Sequence, residues 1–516
     1  SPTGLAGRPP LIPSPPLPPT ILSSRPPAAE VNSSENRLKR HRAYTDIDLV
    51  SRVSQACFQW LTTNYPDTRA WRVVCGQGFN ACDGLQIACY ATLSGLSVEL
   101  VVMTDWSKHE NPVMRQLWQQ CLDVGLKPNV YHTDYQHSSC DLIIDALLGI
   151  GFQGRLTQPY VVMIQQLLPA DSTCPITAID VPSGLEADTG AYDQLGVKAT
   201  DTLTIFSKKP GLLGYYGRQA AGDVHVLLAN ELEPFLTDEE QPLQYHSAPS
   251  FSQARSMTSH KNLFGRIVFI GSFYGYPGAI SLAAKAAARM GCGSIQIITH
   301  QGSNAAILRA YPSFILTDIM DQERVLSALD DCDTIVIGPG LEPCDMTLMA
   351  LKLVLKTHKC CIIDAGCLRM LGAVESLLHS RCIYTPHPGE AAAMLGTSDS
   401  IKVVHRLNAM SKLTERYPGV CVLKGCMTLI GQSNQQTWLS PYGHHAMSVA
   451  GMGDLLTGII AMFVSHNRDV GQLISWVSEA VSYHGVVGEN AMKQHGIGLM
   501  PEDMLNHLIL KQVGSS

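Results

Sequence analysis

The sequence predicts an α/β protein built as two three-layer α/β/α domains, and three observations carry that prediction. Short apolar runs alternate with longer helix-like segments from Trp71 onward. The alternation breaks over Glu231–Ser250 and restarts at Arg266. Glycine-bearing loops follow several of the apolar runs on both sides of that break. Alternation of this kind makes a parallel sheet covered by helices on both faces.

In the first unit the expected strands are Arg72–Cys75, Val98–Met103, Leu142–Asp145, Ile176–Val181, Thr202–Phe206 and Val224–Leu228, with helical patterns such as Gly84–Leu93 and Pro112–Leu122 between them. In the second they are Arg266–Ile270, Ser294–Thr299, Thr334–Ile337, Cys360–Asp364 and Val420–Leu423. The polar, Pro-marked stretch around Leu232-Glu233-Pro234 and Asp238–Pro242 reads as a linker. Residues 1–43, crowded with Pro, Ser and Leu at their start, read as a disordered or extended tail. The expected plan is therefore a tail over 1–43, a domain over 44–235, a linker over 236–255 and a domain over 256–516.

A length of 516 residues suits two to four domains. Net charge −7 argues against a nucleic-acid partner or a membrane surface, which would need a basic footprint. No apolar run reaches the roughly 20 residues that span a bilayer. The 16 cysteines form no C-x-x-C pair, so buried free thiols in a reducing cytoplasm are expected rather than zinc or disulfides.

The first strand runs into Gly76-Gln77-Gly78-Phe79-Asn80-Ala81-Cys82-Asp83-Gly84. Gly76-x-Gly78-x-x-Ala81 could be a dinucleotide fingerprint with Glu99 as the ribose acid, but Glu99 falls inside its apolar run and Asp83 would repel a pyrophosphate. A plain tight turn is the alternative. Two further strand ends carry carboxylates: Asp145, followed by Gly149-Ile150-Gly151-Phe152-Gln153-Gly154, and Asp180, followed by Pro182-Ser183-Gly184. Ligands of open α/β sheets collect beyond the carboxyl ends of strands. Asn80, Asp145, Asp180 and Ser183 there make an oxygen-rich cluster suited to a hard cation.

The strongest feature of the second unit is Gly451-Met452-Gly453-Asp454, opening a helix-like run. Small residues let a chain enter a helix with its N–H groups exposed to a phosphoryl group, and an acid at the same turn can take a proton from a hydroxyl. The bland alternative is a capped helix start with Asp454 on the dipole. Further loops follow strands at Gly338-Pro339-Gly340, Asp364-Ala365, Thr385-Pro386-His387-Pro388-Gly389-Glu390 and Lys424–Thr428. The Ala-rich run after Pro277-Gly278-Ala279 reads as a helix packed tightly on the sheet.

Over roughly residues 50–230, Asn80-x-x-Asp83-Gly84, Asp145–Gly154, Ala178–Gly190 and Lys209-Pro210-Gly211 resemble the NAD(P)H-hydrate epimerases, which implies a Rossmann-like fold. The resemblance implies K⁺ at Asn80, Asp145 and Ser183, and hydrated nucleotide on Phe79, Asn80, Ala81, Cys82 and Asp83 and on Gly149, Ile150, Gly151, Phe152, Gln153, Gly154 and Arg155. It implies acid/base work by Asp180 with Lys209. The family's usual Asn-Asn-Gly-Gly-Asp loop carries Phe79, Ala81 and Cys82 here, which is expected to restrict backbone approach to substrate.

Over roughly residues 256–510 the chain resembles the ribokinase-like NAD(P)H-hydrate dehydratases, through His260-Lys261, Pro277-Gly278-Ala279, Gly338–Leu341, Asp364-Ala365, Thr385–Glu390, Lys424-Gly425-x-x-Thr428 and Gly451–Asp454. This implies hydrate contacts at Ala279, Gly340, His387 and Asp454. It implies ADP or ATP on Lys424, Gly425, Cys426, Met427, Thr428 and Gly453, with Mg²⁺ on the phosphates. The implied reaction phosphorylates the C6 hydroxyl and expels phosphate, restoring NAD(P)H. Departures at His444, His445, Val449, Ala450, Cys426, Met427 and Cys367 are expected to crowd the nucleotide.

The two resemblances in this order match a fused repair enzyme for hydrated NAD(P)H, with homo-oligomers common in such families. Rival readings are a ribokinase-like kinase of another small molecule, whose usual plan lacks the first domain, and a nucleotide-binding pseudoenzyme motivated by the altered loops.

Overall fold

The computed structural model describes residues 20–21, 44–232, 243–246, 249–251, 264–274, 276–397, 406–466 and 470–508. The chain divides into two compact units, Ile21–Gln244 and Tyr245–Ser516 together with Ser1–Thr20. His260-Lys261 and the expected helix lip at Gly275 lie outside the described residues.

The first unit holds seven parallel strands: β1 (Ala70–Cys75), β2 (Ser97–Val102), β3 (Asn129–Val130), β4 (Leu142–Ala146), β5 (Ile176–Ile179), β6 (Asp201–Ile205) and β7 (Asp223–Leu227). Their order is β3-β2-β1-β4-β5-β6-β7. The strands β1, β4 and β5 are almost wholly buried, as a sheet covered on both faces requires. The order reverses direction between β1 and β4, and that crevice is where open α/β sheets take ligands.

Helix α1 (Asp46–Asn64) starts on a Thr45–Asp48 capping box and buries Val50, Val53, Cys57 and Leu61. Helix α2 (Phe79–Leu93) follows β1 directly. Gly84 lets α2 lie on the sheet, because a Cβ there would come within 2.6 Å of both Ala146 Cβ and Cys75 Sγ. Helices α3 (Pro112–Asp123) and α4 (Gln158–Leu167) both begin with proline in the first turn.

The second unit contains β8 (Gln244–Tyr245), β9 (Arg266–Ile270), β10 (Ser294–Thr299), β11 (Ile315–Asp318), β12 (Thr334–Ile337), β13 (Cys360–Ile363), β14 (Cys382–Tyr384), β15 (Val420–Leu423), β16 (Thr428–Gln432) and β17 (Trp438–Ser440). From one edge the order is β11-β10-β9-β12-β13-β14-β15-β16-β17-β8, parallel through β15 and antiparallel from β15 to β17. Of the expected tail, Thr20–Ile21 form a two-residue strand beside β8.

Helix α5 (Pro277–Arg289) is the Ala-rich segment, and α6 (Pro388–Met394), α7 (Arg406–Arg416), α8 (Met452–His466), α9 (Leu473–His495) and α10 (Pro501–His507) follow. From Leu455 to Ser465 every residue of α8 is buried, as suits a central helix apolar all round. Gly458 faces the Ala283 carbonyl of α5, so the close backbone approach of that Ala-rich helix is to α8, where the sequence suggested the sheet.

The expected linker over 236–255 is too long. His246 stacks on Trp438 at 4.5 Å and contacts Ser478 Oγ at 2.9 Å, and Phe251 packs on Phe463 at 4.7 Å. The second unit therefore begins near Tyr245. A polar, proline-marked composition concealed single aromatic anchors that only the finished core reveals.

Candidate active sites

At the carboxyl ends of β1, β4 and β5 a cavity of about 700 Å³ opens. Its walls include Phe79, Asn80 and Asp83 from the start of α2, Gly149, Ile150, Gly151, Phe152, Gln153 and Arg155 from the loop after β4, and Asp180. Asp46, Leu49, Val50 and Val53 of α1 line it as well, together with Tyr160, Ile205 and Phe206, none of which the sequence singled out.

Asp180 has a left-handed backbone (φ 68°), a conformation that costs a non-glycine residue energy and marks functional sites. Its carboxylate is ion-paired with Lys209 and accepts from Ile205 N at 3.0 Å. Lys209 Nζ also donates to the Ile205 carbonyl (2.8 Å) and Thr204 Oγ1 (3.1 Å). The ammonium is thus fixed on one side of a carboxylate whose other side faces the cavity.

Asn80, Asp145 and Ser183 also come together. Ser183 Oγ donates to Asp145 Oδ1 at 2.6 Å, and Ser183 N donates to Oδ2 at 2.9 Å. Leu148 N donates to Ser183 Oγ at 2.8 Å, while Asn80 Nδ2 donates to the Leu148 carbonyl at 2.8 Å. Asp145 is fully buried, and burial pushes its carboxyl up to about 6 against the hydrogen bonds from Ser183 and Leu147.

Three expected substrate residues do not face this cavity. Ala81 and Cys82 are fully buried in the core on the inner side of α2. Gly154 is tied instead to Glu186, whose Oε1 accepts from its N–H at 2.7 Å. The expectation that Ala81 and Cys82 restrict backbone approach is therefore corrected: a helix turns these positions inward. Glu99 is ion-paired with Arg72 at 2.8 Å inside the sheet, which removes it as a ribose acid.

In the second unit the strand ends converge in the same manner. Lys424, after β15, pairs with Asp364 Oδ1 at 2.9 Å and stands 3.9 Å from Glu390 Oε2. Thr385 Oγ1 donates to the same Asp364 oxygen at 2.8 Å. Burial opposes the charge on Lys424, but Asp364, Glu390 and Asp454 outweigh it and hold the ammonium above its ordinary value. A Cβ on Gly453 would lie 3.4 Å from Lys424 Nζ, so that amine sits at the first turn of α8. Gly451 (φ 96°) makes the turn into the helix. Asp454 stands in that first turn. Burial, then the charge of Asp364, pushes its carboxyl up to about 7, with Lys424 pulling the other way.

Gly340 (φ 69°) closes on Ser272 and Tyr276, and Ala279 lies in the first turn of α5. His387 caps α6: its Nδ1 accepts from Gly389 N (3.0 Å) and Glu390 N (3.3 Å), and its ring is half exposed. The loop after β15 is held from behind by Arg406 of α7, which donates to the carbonyls of Leu423, Lys424, Cys426 and Met427. Within it, Cys426 is exposed, whereas Met427 is buried. Cys367 is fully buried in the core, and Val449 and Ala450 are exposed at the surface. The side chains of Met427 and Cys367 turn inward.

Two buried supports escaped the sequence. Glu489 Oε1 accepts from Gly443 N at 2.9 Å, pinning the loop before α8. His484 of α9 is buried and contacts the Met452 backbone, and burial lowers it to about 4. Both lie far along the chain from what they support, and no local pattern marks them.

A Rossmann-like domain with a Lys–Asp pair in its switch-point cavity and a ribokinase-like domain with an acid at a helix N-terminus define a two-domain α/β enzyme. Residues 267–510 match the family model described as NAD(P)H-hydrate dehydratase, and residues 46–211 match that of the YjeF-related protein N-terminus. The bifunctional NAD(P)H-hydrate repair enzyme Nnr of Escherichia coli K12 is 33% identical over 492 residues, covering 93% of this chain and 92% of that protein. The Coxiella burnetii protein of the same name is 30% identical over 476 residues, covering 92% of this chain and 96% of its own. The ADP/ATP-dependent NAD(P)H-hydrate dehydratase of Bacillus subtilis, co-crystallised with ATP/Mg²⁺, superposes with a TM-score of 0.41 at 28% identity, covering 49% of this chain and 91% of its own. The chain belongs to the bifunctional NAD(P)H-hydrate repair enzymes, which join an epimerase domain to a dehydratase domain. That membership replaces the rival reading of an unrelated small-molecule kinase.

Proposed function

We propose that Asp454 is the base of the dehydratase and that the first turn of α8 receives the transferring phosphoryl group. The observation that carries this reading is the carboxyl of Asp454, raised to about 7 at a helix start beside Lys424. A base poised near neutrality can take a hydroxyl proton and later release it. ADP or ATP lies on Lys424–Thr428 and Gly453. The hydrate lies against Ala279, Gly340, His387 and Asp454. Asp454 takes the proton of the C6 hydroxyl as that oxygen attacks the terminal phosphorus and the nucleotide leaves one phosphate shorter, AMP from ADP or ADP from ATP; the C6–O bond then breaks to release inorganic phosphate while C5 gives up a proton, which restores the C5–C6 double bond. Mg²⁺ enters with the nucleotide and neutralises its phosphates. His387, with Nδ1 engaged in capping and Nε2 3.6 Å from Glu390 Oε1, offers substrate its half-exposed ring.

In the first domain, Asp180 with Lys209 interconverts the R and S hydrates on the cavity wall. Asn80, Asp145, Ser183 and the Leu148 carbonyl fit K⁺: they are oxygen donors around a fully buried carboxylate whose contacts are the neutral groups of Ser183 and Leu147. K⁺ would hold Asp145 ionised and orient Asn80 at the cavity floor. The 16 free cysteines support a reducing, cytoplasmic setting. Homo-oligomer formation belongs to the same reading and is checked by light scattering.

The test is one assay. The protein is incubated with mixed R and S hydrate, Mg²⁺ and either ADP or ATP, and reduced-nicotinamide absorbance is followed. Full recovery supports both activities, whereas recovery of only the S fraction removes the role of Asp180 and Lys209. Recovery that persists without nucleotide removes the phosphorylation step.

A further inference from the structure

Two thiols and an imidazole meet at the amino ends of β13 and β14, away from the strand ends that carry Asp364 and Thr385. Cys361 and Cys382 stand directly opposite each other in the parallel register, and both are fully buried. Their sulfurs are 3.6 Å apart. His379, in the loop entering β14, brings Nδ1 to 3.7 Å from Cys382 Sγ, and all three donor atoms lie within 4.8 Å of one another.

A tetrahedral cation bound at roughly 2.3 Å to sulfur and roughly 2.0 Å to nitrogen has sulfur–sulfur and sulfur–nitrogen edges of roughly 3.5–3.8 Å. The two measured edges match that spacing before any ion arrives. The imidazole is also in the ligating form. Nδ1 accepts from Arg381 N at 3.3 Å, so it is the unprotonated ring nitrogen, and an ion would take that lone pair in place of the amide; Nε2 is buried without a hydrogen-bond partner.

We propose that Cys361, His379 and Cys382 form a binding site for a thiophilic cation of the zinc class, with a fourth position for water. Two sulfurs and one nitrogen select such an ion over Mg²⁺, which demands oxygen donors. On binding, both thiols release their protons to solvent and the ion ties β13 to β14 and to the loop between them. Those strands carry Asp364 and Thr385 about 10 Å farther on, at roughly 3.3 Å per residue. The site is thus a brace for the sheet under the dehydratase residues and takes no part in the chemistry.

The experiment uses the full chain, freed of metal by a chelator and titrated with Co²⁺. The expected result is a thiolate-to-cobalt absorption band that saturates at one equivalent, disappears when Zn²⁺ is added, and accompanies a rise in Tm. Cys382→Ser and His379→Ala should each weaken Co²⁺ binding by more than the ~10–100-fold that loss of an outer-shell partner costs. His379 is only partly buried, so His379→Ala tests the site even if the serine variants fail to fold. Absence of the band at one equivalent overturns the proposal. So does a band that His379→Ala leaves unchanged, which would place the ion on other thiols.

Discussion

The two domains put their chemistry at the same place, the carboxyl edge of a parallel sheet, yet treat their key carboxylates in opposite ways. In the first, Asp180 has its own cation in contact, since Lys209 is paired with it and anchored to the Ile205 carbonyl. In the second, Lys424 is held by Asp364 and Glu390, and Asp454 is left to burial and to the charge of Asp364. A carboxylate matched to an ammonium suits acid/base assistance in both directions of the interconversion of two epimers. A carboxylate raised to about 7 suits removal of a hydroxyl proton at neutral pH. The difference teaches that the same sheet edge supports either task according to which acid the lysine serves.

The sharpest way to break this comparison is Asp454→Asn. We expect dehydratase turnover to fall by ~10²–10⁴-fold while R/S interconversion, followed chromatographically, is unchanged. In the parent protein kcat/KM for the S hydrate should rise with pH through about 7 as Asp454 loses its proton. Stability moves the other way. The folded carboxyl is raised above its unfolded value, so between roughly pH 4 and 7 the native state holds a proton that the unfolded chain has lost, and stability falls as pH rises. Asp454→Asn should lack that fall and show a higher Tm than the parent at pH 8. A Tm difference independent of pH would refute the burial of its charge.

Lys209→Met examines the other half. Removing the cation should cost epimerisation ~10²-fold or more while pure S hydrate is dehydrated at the parent rate. Loss of both activities would mean that the pair serves the fold instead.

A smaller effect concerns Asp145. Its carboxyl is raised to about 6, so protons would compete below that pH with the K⁺ proposed there. The rise in Tm on replacing Li⁺ by K⁺ should be larger at pH 8 than at pH 5, and Ser183→Ala should reduce it. Equal shifts at the two pH values would remove K⁺ from this position.

The smallest effect is packing. Gly84→Ala places a methyl 2.6 Å from Ala146 Cβ and Cys75 Sγ, and such overpacking costs about 1–3 kcal/mol. Urea unfolding should show the loss in the first domain, with dehydratase activity preserved. An unchanged midpoint would show that α2 can shift.

Much of the fold was legible because parallel strands buried on both faces read as continuous apolar runs. Arg266–Ile270, Ser294–Thr299, Thr334–Ile337 and Val420–Leu423 fall where expected. The edges were less so. The expected set lacks Asn129–Val130, a two-residue edge strand with both residues exposed, Ile315–Asp318, the short central strand Cys382–Tyr384, and Thr428–Gln432 and Trp438–Ser440, which pair antiparallel after a loop read only for its chemistry. Asp180, Lys424 and Asp454, which a motif singles out by residue type, lie where their motifs put them, Asp180 after β5, Lys424 after β15 and Asp454 in the first turn of α8. The sites were illegible where support arrives from far along the chain: Arg406 behind the Lys424 loop, Glu489 on Gly443, and α1 across the cavity.

By itself, then, the sequence determined the two α/β units and the loops that bear their chemistry, because apolar periodicity and glycine placement are local properties of a chain. Only the tertiary structure decided which side chains share a field. It turned Ala81 and Cys82 into the core, gave Lys424 to Asp364, left Asp454 raised, and brought Cys361 opposite Cys382. Those outcomes depend on helix phase and strand register, which are settled by packing between segments that no local pattern links.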